Sequence, residues 1–217
     1  AIMSIYGAPV KNPEHPTAGV KSAVRMLASL KVMNQWFAEH DLPEISIRCG
    51  VHTGKVLVGN MGFQSRMKYG VVGEESNIAG RLEELNKSYS TEMLISQATY
   101  SRIEAKHFVV RPIDYVNISE VTGAPAELVY QVVDRKIKGD QKASRKRSAM
   151  MDYAIGLELY RTQEWSGAIR KFEKVQALWK EIFKSEDVPS GMMIKRCRSY
   201  LERPPPPDWD GLWDRGS

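Results

Sequence analysis

Residues 67–85, MKYGVVGEESNIAGRLEEL, carry the pattern on which the fold and chemistry of this chain depend. An apolar run with a glycine turn at Gly70 and Gly73 leads into a helical stretch that holds Asn77 and Arg81. This spacing is about one helical turn, so both side chains leave the same face. A guanidinium and an amide so placed suit a phosphoryl transition state, because they can hydrogen-bond its charged oxygens and a sugar. A surface ion pair for Arg81 and local capping for Asn77 are the alternatives.

The composition is that of an ordinary folded protein. The 217 residues are 42% apolar and 26% charged, which is enough to bury a core. Cys49 and Cys197 lie far apart without ligand-like spacing, so neither a zinc site nor a disulfide framework is predicted. The sequence has no apolar run near the roughly 20 residues that cross a bilayer and no signal peptide. Because it opens without methionine, on a strand-like run, we expect a fragment of a longer protein.

Hydrophobic periodicity predicts an α+β domain, a sheet with helices packed on a face. In order, the predicted elements are a helix over 14–39, a β-hairpin of 45–51 with 56–58 joined through Thr53 and Gly54, a helix over 73–88, a strand at 92–96, a short helix at 97–103, and an antiparallel pair of 108–118 with 126–134.

Residues 135–148 hold seven Lys or Arg against one Asp, which indicates a solvated basic linker. Such a run attracts polyanions, but no aromatic residues interleave with it to stack on bases. The linker interpretation is therefore favoured, and no nucleic-acid partner is predicted.

The remaining residues, 149–217, predict a helical extension. Its small and large apolar positions resemble one tetratricopeptide-like helix pair: Gly156, Leu159, Trp165, Ala168, Phe172 and Val175. One such pair cannot bury its own face, so we expect it to dock on another surface. The run PPPPDWDGLW at 204–213 predicts an extended end whose tryptophans pack within the chain; a Pro-rich ligand for another domain is the alternative.

Five motifs identify a family resemblance. GAPV, NQWF, IRCGVHTGKVLVGNMG, RMKYGVVGEESNIAGRLEELN and LISQATY occur in this order and at the spacings of the class III nucleotide cyclase catalytic domain. The chain resembles this family of adenylate and guanylate cyclases over residues 1–134. The predicted organisation is therefore a cyclase domain lacking its first strands at 1–134, a basic linker at 135–148 and the helical extension at 149–217.

The resemblance implies a ferredoxin-like α+β domain that acts as a head-to-tail homodimer, or as a heterodimer with another cyclase domain, with active sites at the subunit interface. It implies conversion of ATP to 3′,5′-cyclic AMP and pyrophosphate for intracellular signalling, with two Mg²⁺ or Mn²⁺ ions activating the ribose 3′-hydroxyl. By the same match, Asn77 orients the ribose and Arg81 steadies the α-phosphate.

Three departures from the family pattern follow. The metal-binding aspartates of the family lie upstream of Ala1, so no metal residue is assigned and the isolated chain is expected to be inactive. The base-selecting position falls on Gly70, which has no side chain to bond a base, so ATP is favoured over GTP only by the commoner match and guanylate cyclase is the alternative. The family's Lys-Gly-Lys turn reads NISEVTGAP at 117–125, without lysine.

Several other polar residues receive structural interpretations. His52 could act as a general base, but turn packing is favoured because the sequence places no carboxylate beside it. Glu74 and Glu75 are explained by the favourable interaction of carboxylates with a helix N-terminus rather than by a metal pair. Lys55 and Lys68 are expected to be solvated surface residues.

Two alternatives to an active cyclase are retained. One is a non-catalytic cyclase-homology module that completes or regulates a partner's site, and the other is an interaction domain led by the helical extension. The expected location is the cytoplasm, or the cytoplasmic side of a membrane if missing upstream regions anchor the protein.

Overall fold

The computed structural model describes residues 2–63, 65–119 and 124–213. The chain divides into two compact units, Ala1–Glu104 and Ala105–Ser217. The elements of the first unit are α1 (His15–Glu39), β1 (Cys49–Val51), β2 (Leu57–Phe63), β3 (Arg66–Val72), α2 (Glu75–Tyr89), β4 (Met93–Ser96) and α3 (Gln97–Tyr100).

The two long helices of the first unit confirm the predicted ones. α1 begins with a proline in its first turn, where the missing N–H costs nothing. It buries only its first half, through residues such as Val20 and Ala23, while Met33 and Trp36 are about half exposed further along. α2 buries Ile78 and Leu82, and this spacing of four residues is the apolar stripe expected of a helix packed on a sheet.

Strand pairing in the first unit is partly non-local. β1 pairs in parallel with β4, with Cys49 opposite Met93, and all four residues of β4 are buried. β2 pairs antiparallel with β3, with Leu57 opposite Val72 and Gly59 opposite Gly70. The predicted hairpin of 45–51 with 56–58 is therefore wrong. Alternation alone could not show that β1 pairs with β4, which follows α2. Nor could it show that β2 pairs with β3, which directly precedes α2.

α2 lies directly on the backbone of β1. A Cβ at Gly50 would lie 2.1 Å from the carbonyl oxygen of Ala79 and 2.4 Å from the amide nitrogen of Glu83. Only glycine therefore allows this approach. At the far end of the helix, the buried Asn86 side chain donates to the carbonyl of Cys49 over 3.0 Å, which fixes α2 to the strand at a second point.

In its described residues, the second unit combines an antiparallel strand pair with three helices. Its elements are β5 (Phe108–Val116), β6 (Glu127–Arg135), α4 (Ala143–Arg161), α5 (Trp165–Phe183) and α6 (Val188–Glu202), with a short 3-10 turn at Ala105–His107. β5 and β6 are antiparallel, which confirms the predicted pair. Together with the first unit this is the predicted α+β fold, with helices in the C-terminal part.

Buried ion pairs join the hairpin to the helices within this unit. Arg111 of β5 is fully buried and donates to both carboxylate oxygens of Asp187, over 2.8 and 2.6 Å, and to Gln131 over 2.8 Å. Asp114, also on β5, accepts from Arg196 of α6 over 2.5 Å. Because an unpaired charge is costly in such surroundings, strand and helices depend on each other.

α4 and α5 are joined by a further buried carboxylate. Asp152 of α4 accepts from Lys171 and Lys174 of α5, each over 2.8 Å. Burial raises the pKa of Asp152, but the hydrogen bonds from these lysines outweigh it and hold the pKa below its ordinary value. Gly156 allows α4 and α5 to pack closely, since a Cβ there would lie 3.0 Å from the ring of Phe172.

The basic run at 135–148 differs from a solvated linker. β6 continues to Arg135 and α4 begins at Ala143, so only the residues between them connect elements. Lys146 is 7% exposed and contacts Asp134 and Asp140 over 2.6 and 2.9 Å. Positive charge in this run is thus partly neutralised by Asp140 within it and by Asp134 directly before it.

The Pro- and Trp-rich run at 204–213 packs within the second unit through Trp209, as predicted. The Trp209 ring lies 5.3 Å from those of Tyr160 and Tyr200 and 5.5 Å from that of Trp165, all between ring centroids. These are the separations of favourable aromatic pairs. Across the described ranges, no helix is both long and apolar enough to cross a membrane.

Candidate active site

The start of α2 is shaped by one glycine. Gly73 has φ of +143°, a conformation that other residues rarely adopt. Its carbonyl accepts hydrogen bonds from Ser76, from the amide over 3.0 Å and from the hydroxyl over 2.6 Å. The expected glycine turn is therefore at Gly73 only, because Gly70 lies within β3.

Asn77 and Arg81 occupy one stripe of α2. Each directly precedes a buried residue, Ile78 or Leu82, and so lies about 100° around the helix from the buried stripe. Asn77, in the first turn, is exposed, and Arg81, one turn later, is partly buried. A partly buried guanidinium beside an exposed amide can contact an anionic ligand at the edge of the helix.

Gly70, the predicted base-selecting position, faces Gly59 of β2 in the register of the ribbon. A Cβ there would meet only the sulfur of Met61, at 3.6 Å, which is an ordinary contact. The strand therefore has room for a side chain at this position, and the sequence leaves it empty.

His52 has two side-chain contacts that its position in the sequence does not indicate. His52 lies in the loop after β1, its side chain is 5% exposed, and its Nε2 lies 2.8 Å from Oε2 of Glu75 in the first turn of α2. Its Nδ1 lies 2.8 Å from Oγ of Ser96 at the end of β4. A carboxylate therefore does lie beside the ring, and Glu75 contacts His52 rather than only the helix N-terminus. Glu75 and Ser96 lie 23 and 44 positions from His52 along the chain, so no local sequence pattern reveals these contacts.

Two threonines and a glycine hold this loop in place. The hydroxyls of Thr53 and Thr99 are 2.9 Å apart and both residues are buried. Thr99 also donates to the carbonyl of Val51 over 3.3 Å. A Cβ at Gly54 would lie 1.9 Å from Oε2 of Glu75, so glycine permits the loop to approach α2.

The other predicted residues are placed more simply. Lys55 and Lys68 are exposed, as expected. Glu74 is the N-cap residue of α2 and makes no side-chain capping bond. The run at 117–125 that replaces the family's lysine turn cannot be compared, because residues 120–123 lie outside the described ranges.

The described residues form neither a cluster of metal ligands nor a reactive thiol at Cys49. Among the residues that the structure describes, no three His, Cys, Asp or Glu side chains converge as metal ligands. Cys49 in β1 is not a ready nucleophile, since burial, with added repulsion from Glu92 and Glu83, raises the pKa of its thiol.

The fold and this helix stripe define an α+β domain in which an amide and a guanidinium lie one turn apart on a helix that packs on a short parallel strand pair. The sequence profile described as Adenylate and Guanylate cyclase catalytic domain matches residues 1–134. The chain therefore belongs to the adenylate and guanylate cyclase catalytic domain family.

Individual relatives agree with this assignment. The chain is 30% identical to the terminal-differentiation specific adenylate cyclase of Dictyostelium discoideum over 180 residues, 82% of this chain and 8% of that protein. It is 32% identical to adenylate cyclase 1 of Rhizobium meliloti over 47% of this chain and 15% of that protein. The chain thus spans only a small part of the length of these curated relatives.

Solved structures with the same fold include two cyclases. The adenylyl cyclase CyaB of P. aeruginosa is 31% identical with a TM-score of 0.52, covering 60% of this chain and 66% of that one. The guanylyl cyclase Cya2 is 27% identical with a TM-score of 0.50, covering 62% of this chain and 66% of that one. The predicted cyclase fold is therefore confirmed.

Proposed function

We propose that this domain is a nucleotide cyclase that converts ATP into 3′,5′-cyclic AMP and pyrophosphate. The placement of Asn77 and Arg81 one turn apart, in a stripe of α2 beside its buried residues, carries the proposal. In this reaction the ribose 3′-hydroxyl attacks the α-phosphorus in line and pyrophosphate leaves. Membership of the cyclase family and the similarity to proteins named adenylate cyclase support the proposal.

In the proposed reaction, the two residues act on different parts of the nucleotide. Asn77 orients the ribose through its amide, so that the 3′-hydroxyl points at phosphorus. Arg81 donates hydrogen bonds to the α-phosphate oxygens, where negative charge changes most as the P–O bonds form and break. A guanidinium suits this role because its planar donors match phosphate geometry.

The divalent ion of the family, Mg²⁺ or Mn²⁺, supplies charge neutralisation on phosphate when bound. The described residues do not fit a metal site, because no three ligand side chains converge among them. The proposal therefore assigns no metal ligand among the described residues, and the activity tests below use the full-length protein.

The activity test compares two arginines in the intact protein. Arg81→Ala should lower turnover by about 10²-fold or more, the scale of losing one transition-state donor. The matched control is Arg48→Ala, since Arg48 pairs with Glu83 of the same helix over 2.9 Å with both side chains about two-fifths exposed. The control should retain activity, because exposed ion pairs contribute little. Equal effects of the two substitutions would remove Arg81 from the mechanism.

We favour ATP over GTP as the substrate. The two curated relatives named above are adenylate cyclases, although one similar solved structure is a guanylyl cyclase. Gly70 offers no side chain to either base. Assays of the intact protein with ATP and GTP in parallel separate the two activities, and a larger kcat/KM for GTP would overturn the preference.

We also propose a dimer, either of two copies of this chain or with another cyclase domain. The β2–β3 ribbon is a separate two-stranded sheet, which is marginally stable alone in water. It exposes large apolar side chains, including Leu57 at 76%, Phe63 at 86% and Met67 at 57%. Such a surface is typical of an interaction site.

The dimer test places charge on this ribbon. Leu57→Lys with Phe63→Lys should shift the chain from dimer to monomer in sedimentation velocity, because two lysines would be desolvated at the contact. Ile137→Lys is the control, since Ile137 is 62% exposed on a connection outside the ribbon. A wild-type chain that stays monomeric at high concentration would argue for a different partner.

For the C-terminal helices we propose a tetratricopeptide-like pair, formed by α4 and α5. The small residue Gly156 against Phe172 supports this, because such repeats close two helices on small positions.

Both cysteines are free thiols, as fits the cytoplasmic location that we propose.

A further inference from the structure

His52 uses both ring nitrogens to connect two separate elements. Nε2 lies 2.8 Å from Oε2 of Glu75 on α2, and Nδ1 lies 2.8 Å from Oγ of Ser96 at the end of β4. The imidazole side chain is 5% exposed, whereas Glu75 is 44% exposed. A buried ring with both nitrogens bonded has one orientation available, so it can transmit the position of β4 to α2.

The order Ser96, His52, Glu75 is that of a nucleophile, a base and an orienting carboxylate, but the geometry does not serve hydrolysis. Ser96 is fully buried. Its Oγ accepts from the amide of Thr99 and lies 3.2 Å from the Thr99 hydroxyl, so it caps α3. A substrate carbonyl cannot reach a hydroxyl in this position. The connection therefore acts on protein groups.

Glu75 connects the first turn of α2 to a different element. The neighbouring Ser76 donates within the turn, to the carbonyl of Gly73. The far end of α2 is held separately, by Asn86 on the Cys49 carbonyl. With one end fixed in this way, the contact from Glu75 to His52 restrains the other end, two residues before Asn77.

We propose that His52 is a positioning residue for nucleotide cyclisation, acting through Glu75 to hold the first turn of α2 and hence the amide of Asn77. This inference rests on the proposed function. Gly54 makes the arrangement possible, because any side chain there would overlap the Glu75 carboxylate. The role requires a hydrogen-bond acceptor at position 75 and does not require its charge.

The proposal separates turnover from binding. In the intact protein, His52→Ala and Glu75→Ala should each lower kcat about tenfold or more with KM changed less than about twofold, because small misplacements of a reacting group cost turnover. Glu75→Gln should stay within about twofold of wild type, since its amide oxygen still accepts from the ring. Glu84→Ala, an exposed glutamate of the same helix, is the matched control and should behave as wild type.

Amide hydrogen exchange on the same variants locates the effect. Exchange at residues 75–78 should be faster in Glu75→Ala than in wild type, with the far end of α2 unchanged. Wild-type kcat in Glu75→Ala, or a loss shared by kcat, KM and the melting temperature, would overturn the positioning role. A wild-type protein with no activity on either nucleotide would instead overturn the proposed function, and the positioning role with it.

Discussion

Gly70 occupies the proposed base-selecting position of the candidate active site. The strand has room for a side chain there, because an added Cβ meets only Met61 at 3.6 Å and the backbone does not need a positive φ. We predict that Gly70→Thr keeps the fold and raises the ratio of kcat/KM for ATP over GTP about tenfold. A tenfold change corresponds to about 1.4 kcal/mol, which is within the range of about 0.5–1.5 kcal/mol for one new hydrogen bond.

This substitution is measured by steady-state assays of the intact protein with both nucleotides. Gly59→Thr on the facing strand is the control, because a Cβ at Gly59 meets nothing within 4 Å and the residue is not the predicted base contact. Threonine also has a favourable β propensity, so both variants should fold. An equal change in the ratio for both variants would show that strand stiffness, and not a base contact, sets the preference.

Residue spacing predicted that Asn77 and Arg81 lie on one side of a helix. It did not predict the contact between His52 and Glu75. Asn77 and Arg81 are one turn apart on a helix, and a helical period makes that relation visible in sequence. The contact between His52 and Glu75 depends on how a loop and a helix meet across 23 residues. It also depends on the absence of a side chain at Gly54, whose role is apparent only in three dimensions.

Among the elements, α2 on β1 is the packing contact that places the candidate site. Gly50→Ala should lower the free energy of unfolding by about 1–3 kcal/mol or more, the cost of overpacking, because the new methyl group meets backbone atoms that cannot move aside. Gly80→Ala on α2 is the matched control, since a Cβ there meets nothing within 4 Å. It should stabilise by about 0.5–1 kcal/mol through helix propensity.

Urea denaturation of the 217-residue chain measures both substitutions. The opposite signs are the test, because the chemical change is the same and only the surroundings differ. If Gly50→Ala proved neutral, the close approach of helix to strand would not exist as described.

Elements with a local signal were predicted well, and the pairings of β1 and β2 were not. The long helices, β4 and the β5–β6 pair follow from periodicity within a few residues of their observed ends. The wrong hairpin arose because β1 is only three residues long and pairs with β4, which lies beyond α2. A three-residue strand carries too little alternation to identify its partner.

At the scale of the whole molecule, the charged residues of β5 tie the C-terminal helices into the second unit. Arg111 and Asp187 lie 76 positions apart, and their side chains are 0% and 1% exposed. The guanidinium also stacks on the rings of Trp179 and Tyr153, at 4.2 and 4.7 Å from their centroids. From the sequence alone, Arg111 is one polar residue within a predicted strand. Its contact with Asp187 is not predicted, so the helices are predicted as a separate extension.

The buried pair predicts non-additive stability. Asp187→Asn or Arg111→Met alone should destabilise the chain by about 3–5 kcal/mol, because each leaves an uncompensated buried charge or a broken bidentate contact. The double variant should lose much less than the sum, since it removes both charges together. Glu181→Ala is the control, because its pair with Arg145 is about half exposed and should contribute at most about 1 kcal/mol. Denaturant unfolding followed by circular dichroism measures all four, and additive losses would show that Arg111 and Asp187 are not energetically coupled.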